Sequence, residues 1–265
     1  IFSSSSIDTD SLSVLGTWYF SGLSDDKGPR ARAVLVDRAS SLSIGYSRTE
    51  WSNSIVLTSS DPAFPLGPLD LTFDTNIDAF SADFRYVDRD SGWFGSAGLL
   101  AADATVGPFV SESISDDGWS LGVGKYLADT TTLSLNYSDV STTSAVGLSF
   151  EHLGDLGASW QYAVDLGYSY VDVGDLKTWD AAISLYPTRD FEFGLAVKDV
   201  SGDFPGADSQ TVAGFASWYV RPNVRLSARY RVGDAENFGL FFSGGGPTVI
   251  DSDEDSFGIS ASIRF

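Results

Sequence analysis

Apolar and polar residues alternate with a period of two along almost the whole chain, which is the signature of strands with two unlike faces. The last segment is the clearest case. Phe257, Ile259, Ala261, Ile263 and Phe265 fall on one face, and Gly258, Ser260, Ser262 and Arg264 fall on the other. Val224, Leu226, Ala228, Tyr230 and Val232 alternate in the same way with Arg225, Ser227, Arg229 and Arg231. No segment of useful length has a helical period. The pattern predicts about 14 strands, at 10–20, 29–36, 40–51, 74–87, 93–105, 118–127, 131–138, 144–152, 158–171, 178–186, 191–198, 210–220, 224–233 and 256–265.

The connections sort by length. From the second strand onward every other one is short, at 37–39, 88–92, 128–130, 153–157, 187–190 and 221–223. The rest are mostly longer, notably 52–73, 106–117, 199–209 and 234–255. Short turns at one end and long loops at the other belong to a transmembrane antiparallel up-and-down β-barrel. Twelve or 16 strands remain alternatives to 14. The chain forms one domain over 1–265, and an even count puts both termini at the short-turn, periplasmic side.

Composition adds to this picture. There are 16 basic and 36 acidic residues, a net charge of −20, and neither Cys nor Met. The lack of Cys excludes disulfides, thiolate metal sites and a cysteine nucleophile. The acidity argues against nucleic acid, whose phosphates require clustered Lys and Arg. A start at Ile1 without Met leads to the expectation that a targeting segment has been removed. No apolar run is long enough for a transmembrane helix, whereas alternating strands hide an apolar wall at a mean hydropathy near zero. The predicted long connections carry 19 acids and two lysines, so the acidity lies on one rim. Trp18, Trp51, Trp119 and Trp179 are expected near that rim, and Trp93, Trp160 and Trp218 near the other, as two aromatic girdles. Lys125 and Arg48 fit the wall badly, because they fall on its apolar face near strand ends. The stretch 210–220 has no clear polar face, and 93–105 is apolar on both faces around Leu99 and Leu100.

Two segments resemble a known group. The run from Gly28 to Tyr46 (GPRARAVLVDRASSLSIGY) is similar to the strand–turn–strand near the start of general porins of Gram-negative bacteria. The end, Ser260 to Phe265, resembles the C-terminal strand signal read by the outer-membrane assembly machinery, closed by the aromatic Phe265. The turns at 126–130 and 186–190 have the same character. The resemblance implies an outer-membrane porin for passive diffusion of small hydrophilic solutes and ions. Both a homotrimer and a monomer are compatible with it.

A barrel of about 14 strands would have a backbone radius of roughly 14 Å, wide enough for water. Its inward positions are mostly Gly, Ser, Thr and Ala with scattered charges. Arg225, Arg229 and Arg231, together with Arg264 on the last strand and Arg30 and Arg32 on the predicted second strand, form one expected wall. Glu151, Asp165, Asp180 and Glu192 form the opposite one, with Asp83 and Arg85 breaking the separation. Such walls would set a transverse field, the candidate selectivity zone; local pairing of the same charges is the alternative. Asp251, Asp253, Glu254 and Asp255 are weak candidates for Ca²⁺ or Mg²⁺ bridging to lipopolysaccharide, against a merely solvated loop. No other cofactor is expected. Rival functions are a solute-specific channel for sugars or small organic acids, with Tyr126 and Tyr186 as stacking surfaces, a plugged structural or adhesive barrel, and a barrel enzyme. The enzyme reading is weakest, because the only histidine, His152, sits at a predicted turn.

Overall fold

The structure is a computed structural model that describes residues 2–20, 28–58, 69–106, 112–141, 143–157, 159–203, 208–221, 224–235, 240–243, 246–249 and 256–263. The strands are β1 (Phe2–Tyr19), β2 (Ser41–Thr58), β3 (Leu69–Val87), β4 (Trp93–Val106), β5 (Glu112–Ala128), β6 (Thr131–Val140), β7 (Thr143–Leu156) and β8 (Trp160–Val171). They continue with β9 (Leu176–Thr188), β10 (Phe191–Ser201), β11 (Ser209–Arg221), β12 (Val224–Ala235), β13 (Leu240–Ser243), β14 (Gly246–Val249) and β15 (Ser256–Ile263). Thirteen of them make one antiparallel meander in the order β1 to β12 and then β15, while β13 and β14 form a separate hairpin. No β1–β15 ladder is present among the described residues. No helix among the described residues is long and apolar enough to cross a membrane, which says nothing of strands.

The alternation has the expected consequence. Large apolar side chains line the outer face and are exposed: Leu135 is 49% accessible, Ile183 48% and Leu195 59%. Their sequence neighbours Asn136, Ser184 and Gly194 turn the other way. Register confirms the two faces, because a Cβ added at Gly98 would strike both Asp83 and Ser120, and one at Gly167 would strike Asp180. The strand pairs β3–β4, β5–β6, β7–β8, β9–β10 and β11–β12 are joined by short connections at one end, as read from the sequence.

One predicted strand is absent. Residues 29–36 form a 3₁₀ turn over Arg30–Arg32 and a single α-turn, α1 (Ala33–Val36). Its removal from the 14 expected strands leaves the 13 of the main sheet. Alternation over so few residues could not decide, and Ala31, Arg32, Ala33 and Leu35 are all good helix formers. β1 therefore leads directly to β2 at the short-turn end, where Tyr19 pairs with Ser41. Two corrections follow. Trp18 lies at that end, beside Leu42, and not at the opposite rim. β1 starts at the long-connection end while β15 finishes at the short-turn end, so the two ends of the sheet's chain do not share one side.

The misfits are accounted for locally. The Lys125 ammonium lies 5.1 Å from the Trp93 ring centre, at the outer edge of the wall, where a long side chain can reach polar surroundings. Arg48 pairs with Glu50 on the same outward face. In β11 the outward Val212, Trp218 and Val220 are exposed, and the inward Thr211, Ala213 and Ser217 are small and buried. In β4 Leu99 points outward and is exposed.

Candidate functional site: a lumen plugged at one end

The 28–39 segment turns into the space enclosed by the sheet. Gly28 starts the turn at φ +60°, a conformation that strains other residues. A Cβ there would also press on Val36 at 3.1 Å. Pro29 sets the extended residue before the 3₁₀ turn, and Arg38, at φ 49°, turns the chain out again. Between them Ala31, Leu35 and Val36 pack on inward side chains of six strands. Those are Val87, Phe94, Tyr126, Leu153, Ala163 and Tyr186; Tyr186 is 2% exposed and Leu35 5%. Burying a side chain such as Leu35 is worth about 1.5–3 kcal/mol.

Polar bonds tie the same segment to the wall. The Arg32 guanidinium makes a two-pronged ion pair with Asp165, in which Nη1 donates to Oδ1 at 2.9 Å. Its Nε donates to the Tyr186 hydroxyl at 2.9 Å, and Glu151 lies 3.9 Å away. Burial works against the charge on Arg32, but Asp165 and Tyr186 outweigh it, so the pKa rises above its ordinary value. Tyr186 in turn donates to Glu192 at 2.8 Å, and Glu192 pairs with Arg225 at 3.5 Å. Arg30 pairs with Asp190, and its backbone N–H donates to the Arg189 carbonyl at 3.0 Å. Arg38 donates to Asp129 at 2.9 Å and to the Arg89 carbonyl at 3.2 Å, and lies over the Tyr126 ring.

These contacts establish the curl of the sheet. The turns holding Arg89 and Asp190 are six strand spacings apart, roughly 29 Å in a flat sheet. One short segment touches both, so the sheet must wrap around it.

The sequence-predicted charges thus resolve into two groups. Arg30 and Arg32 are not on a wall strand; they bond to Asp190 and Asp165, with Glu151 near Arg32. Arg225 bonds to Glu192. Where opposed walls were expected, local pairing dominates at this end. Arg85 stacks over Phe94 at 4.2 Å and donates weakly to Tyr126, and Asp83 faces Gly98 and Ser120. Asp180 is the register partner of Lys198. Arg229 and Arg231 have no hydrogen bond or ion pair among the described residues and stand on the inward face of β12. Tyr126 and Tyr186, expected as stacking surfaces, are buried against the plug and unavailable to a solute. His152 bonds to Thr131 at 2.8 Å. Asp251, Asp253, Glu254 and Asp255 lie outside the described residues, as do Arg264 and Phe265. No metal-binding group of His, Cys, Asp or Glu occurs among the described residues. Sequence reasoning missed the plug; the long-range acid partners of Arg30 and Arg32, more than 130 residues away, leave no local signal.

A single-layer antiparallel meander, apolar outside and wrapped around a polar interior, is the fold of outer-membrane porins. No protein-family model matches the chain, and no curated sequence matches it. Among solved structures it is similar to the Acinetobacter baumannii outer membrane protein Omp33, with a TM-score of 0.64 and 18% identity over 99% of this chain and 96% of that one. Pseudomonas aeruginosa OpdQ matches at a TM-score of 0.43 and 11% identity, covering 88% and 81%.

Proposed function

We propose that the chain is an outer-membrane porin through which small hydrophilic solutes and ions diffuse passively, by a lumen narrowed at its short-turn end. One observation carries this reading: the wall exposes large apolar side chains outward while, away from the plug, its inner face is mostly Gly, Ser, Thr and Ala with charges. A soluble protein rarely exposes a continuous apolar belt of this kind, and a wall of small polar residues holds water.

In this reading the inward charges have two roles. Arg30, Arg32, Asp165, Glu151, Glu192 and Arg225 hold the plug and its supports. Asp83, Arg85, Asp180, Arg229 and Arg231 set the ion preference of the space above it. Lipid and lipopolysaccharide surround the belt, the short turns face the periplasm, and the sequence from Ser260 to Phe265 is the assembly signal. Divalent ions at the acidic residues 251–255 belong to the same proposal.

A second reading, a solute-specific channel, is favoured by the plug itself, because a narrowed lumen makes contacts with its cargo unavoidable. Proteoliposome swelling with neutral solutes of graded size tests both. A smooth size cutoff supports general diffusion. Saturable uptake of one solute supports specificity. No conductance in a planar bilayer and no swelling would refute the channel.

A further inference from the structure

β1, β2 and β3 are longer than the wall requires. They run 18, 18 and 19 residues, where about 9–11 suffice to cross a bilayer. Their ladders continue without a register shift from end to end, so a face once assigned holds along the whole strand. Towards the short turns they follow the rest of the wall. Leu12, Val14, Tyr46, Phe80 and Phe84 are exposed on the outer face, while Ser41, Thr49 and Ala79 lie on the inner one. Further up, the two faces exchange character. Asp8, Asp10, Glu50, Asp74 and Asp78 fall on the outer face. Trp51, Ile55, Leu57, Leu69, Leu71 and Phe73 fall on the inner face. Carboxylates are costly against hydrocarbon, so this three-stranded tongue stands in water beyond the bilayer. Its outer face suits that surrounding and its inner face does not.

A second apolar face lies at the same rim. In the β13–β14 hairpin Leu240 pairs with Val249 and Phe242 with Pro247, and residues directly opposite share a face. That face of the hairpin is wholly apolar, whereas the other carries Phe241, Ser243, Gly246 and Thr248. The hairpin belongs to the connection from β12 to β15, at one edge of the sheet. Cα atoms of β14 nevertheless come within 8 Å of those of β2 and β3, beside the other edge. Two apolar faces this close in water gain most by covering each other. Against the acidic outer face of the tongue, the hairpin would leave both of them wet.

We propose that the β13–β14 hairpin seats its apolar face on the inner face of the β1–β3 tongue, and that the two form an apolar cap over the mouth of the lumen. The inference rests on the channel reading for its consequence: solutes enter past an apolar collar, and a hydrophobic constriction gates by losing its water. Its test does not depend on conductance. Ile55→Cys and Leu71→Cys on the inner face, and Ser54→Cys and Thr72→Cys on the outer face, would each be made singly. The purified, detergent-solubilised proteins would be treated with a bulky polyethylene-glycol maleimide. Positions 55 and 71 should react more slowly than 54 and 72 by roughly tenfold or more, as a covered face that opens only transiently requires. Replacing residues 240–249 by a short Gly–Ser link should bring 55 and 71 up to the rate of 54 and 72. Where that variant loses its compact, heat-modifiable gel mobility, Phe242→Ser with Val249→Ser replaces it and should speed both inner positions severalfold. Equal rates at the four positions with the hairpin intact would overturn the cap. So would slow inner positions that a folded hairpin variant does not speed. Absence of planar-bilayer conductance with and without the hairpin would instead count against the channel reading and leave the cap standing.

Discussion

The two halves of the lumen are built from the same alternating strands and end in opposite states. At the short-turn end inward side chains are large and engaged: Phe94, Tyr126, Leu153 and Tyr186 close on Leu35, and Arg32 is locked to Asp165. Further along the same strands the inward positions shrink. β8 passes from Ala163 and Asp165 to Gly167 and Ser169, and β10 from Glu192 to Gly194 and Ala196. Alternation decides only that a residue faces inward. Side-chain volume, and an inserted piece of chain, decide whether the inside is core or passage.

Removing the plug breaks the contrast most severely. Tyr19 and Ser41 are paired, and the Phe20 N–H donates to the Ser40 carbonyl at 3.1 Å, so a tight turn can replace residues 21–39. Such a variant should conduct severalfold better than the parent in planar bilayers. Equal conductance would mean that the plug does not limit flow.

The wall common to both halves can be challenged next. Leu135 faces outward in the middle of β6 and Asn136 faces inward. Leu135→Arg should cost about 2–4 kcal/mol in urea unfolding from liposomes, the range for a cation at the bilayer midplane. Asn136→Arg should cost far less. Equal costs would contradict the assignment of faces.

A smaller effect is expected at the plug's main anchor. Arg32→Ala leaves Asp165 and the Tyr186 hydroxyl without their partner in a half-dry site, a loss of about 1–3 kcal/mol. The same urea titration reads it. Arg229→Ala, away from the plug, should leave stability nearly unchanged.

The weakest lever is pH. Asp88 accepts bonds from the Ser91 hydroxyl and the Asp90 N–H, and Asp172 from the N–H and hydroxyl of Ser144, at opposite ends of the wall. Both carboxyls are held below their ordinary value of 3.8. The stability they contribute is present above 3.8 and is lost as pH falls through the lower folded-state values. Amide exchange should therefore accelerate in turns 88–92 and 172–175 only below the ordinary carboxylate range.

Much of this was readable from residues alone. The run Val224 to Val232 and the last strand gave faces, direction and approximate span, because a half-buried strand must alternate. The plug was not readable. Arg30, Ala31, Arg32 and Ala33 alternate as well as any strand, and what makes them helical is a pocket assembled from β3 to β9. Asp83, Asp180, Glu192 and Arg225 stand on the inner face of their strands, whereas Arg30 and Arg32 belong to no strand. Their pairing was not legible, since Arg32 meets Asp165 only after the sheet has curled. Arg229 and Arg231 stood out in sequence only as part of a wall, and it is the loss of the other members to local pairs that isolates them.

The absence of native cysteine makes the central claim directly measurable. Single cysteines at 133, 134, 135, 136 and 137 of β6, in protein reconstituted into liposomes, would be treated with a charged, membrane-impermeant thiol reagent. Positions 134 and 136 should react, and 133, 135 and 137 should be protected by lipid. Uniform labelling along the strand, or protection of the inward pair alone, would contradict a wall with lipid on one face and water on the other.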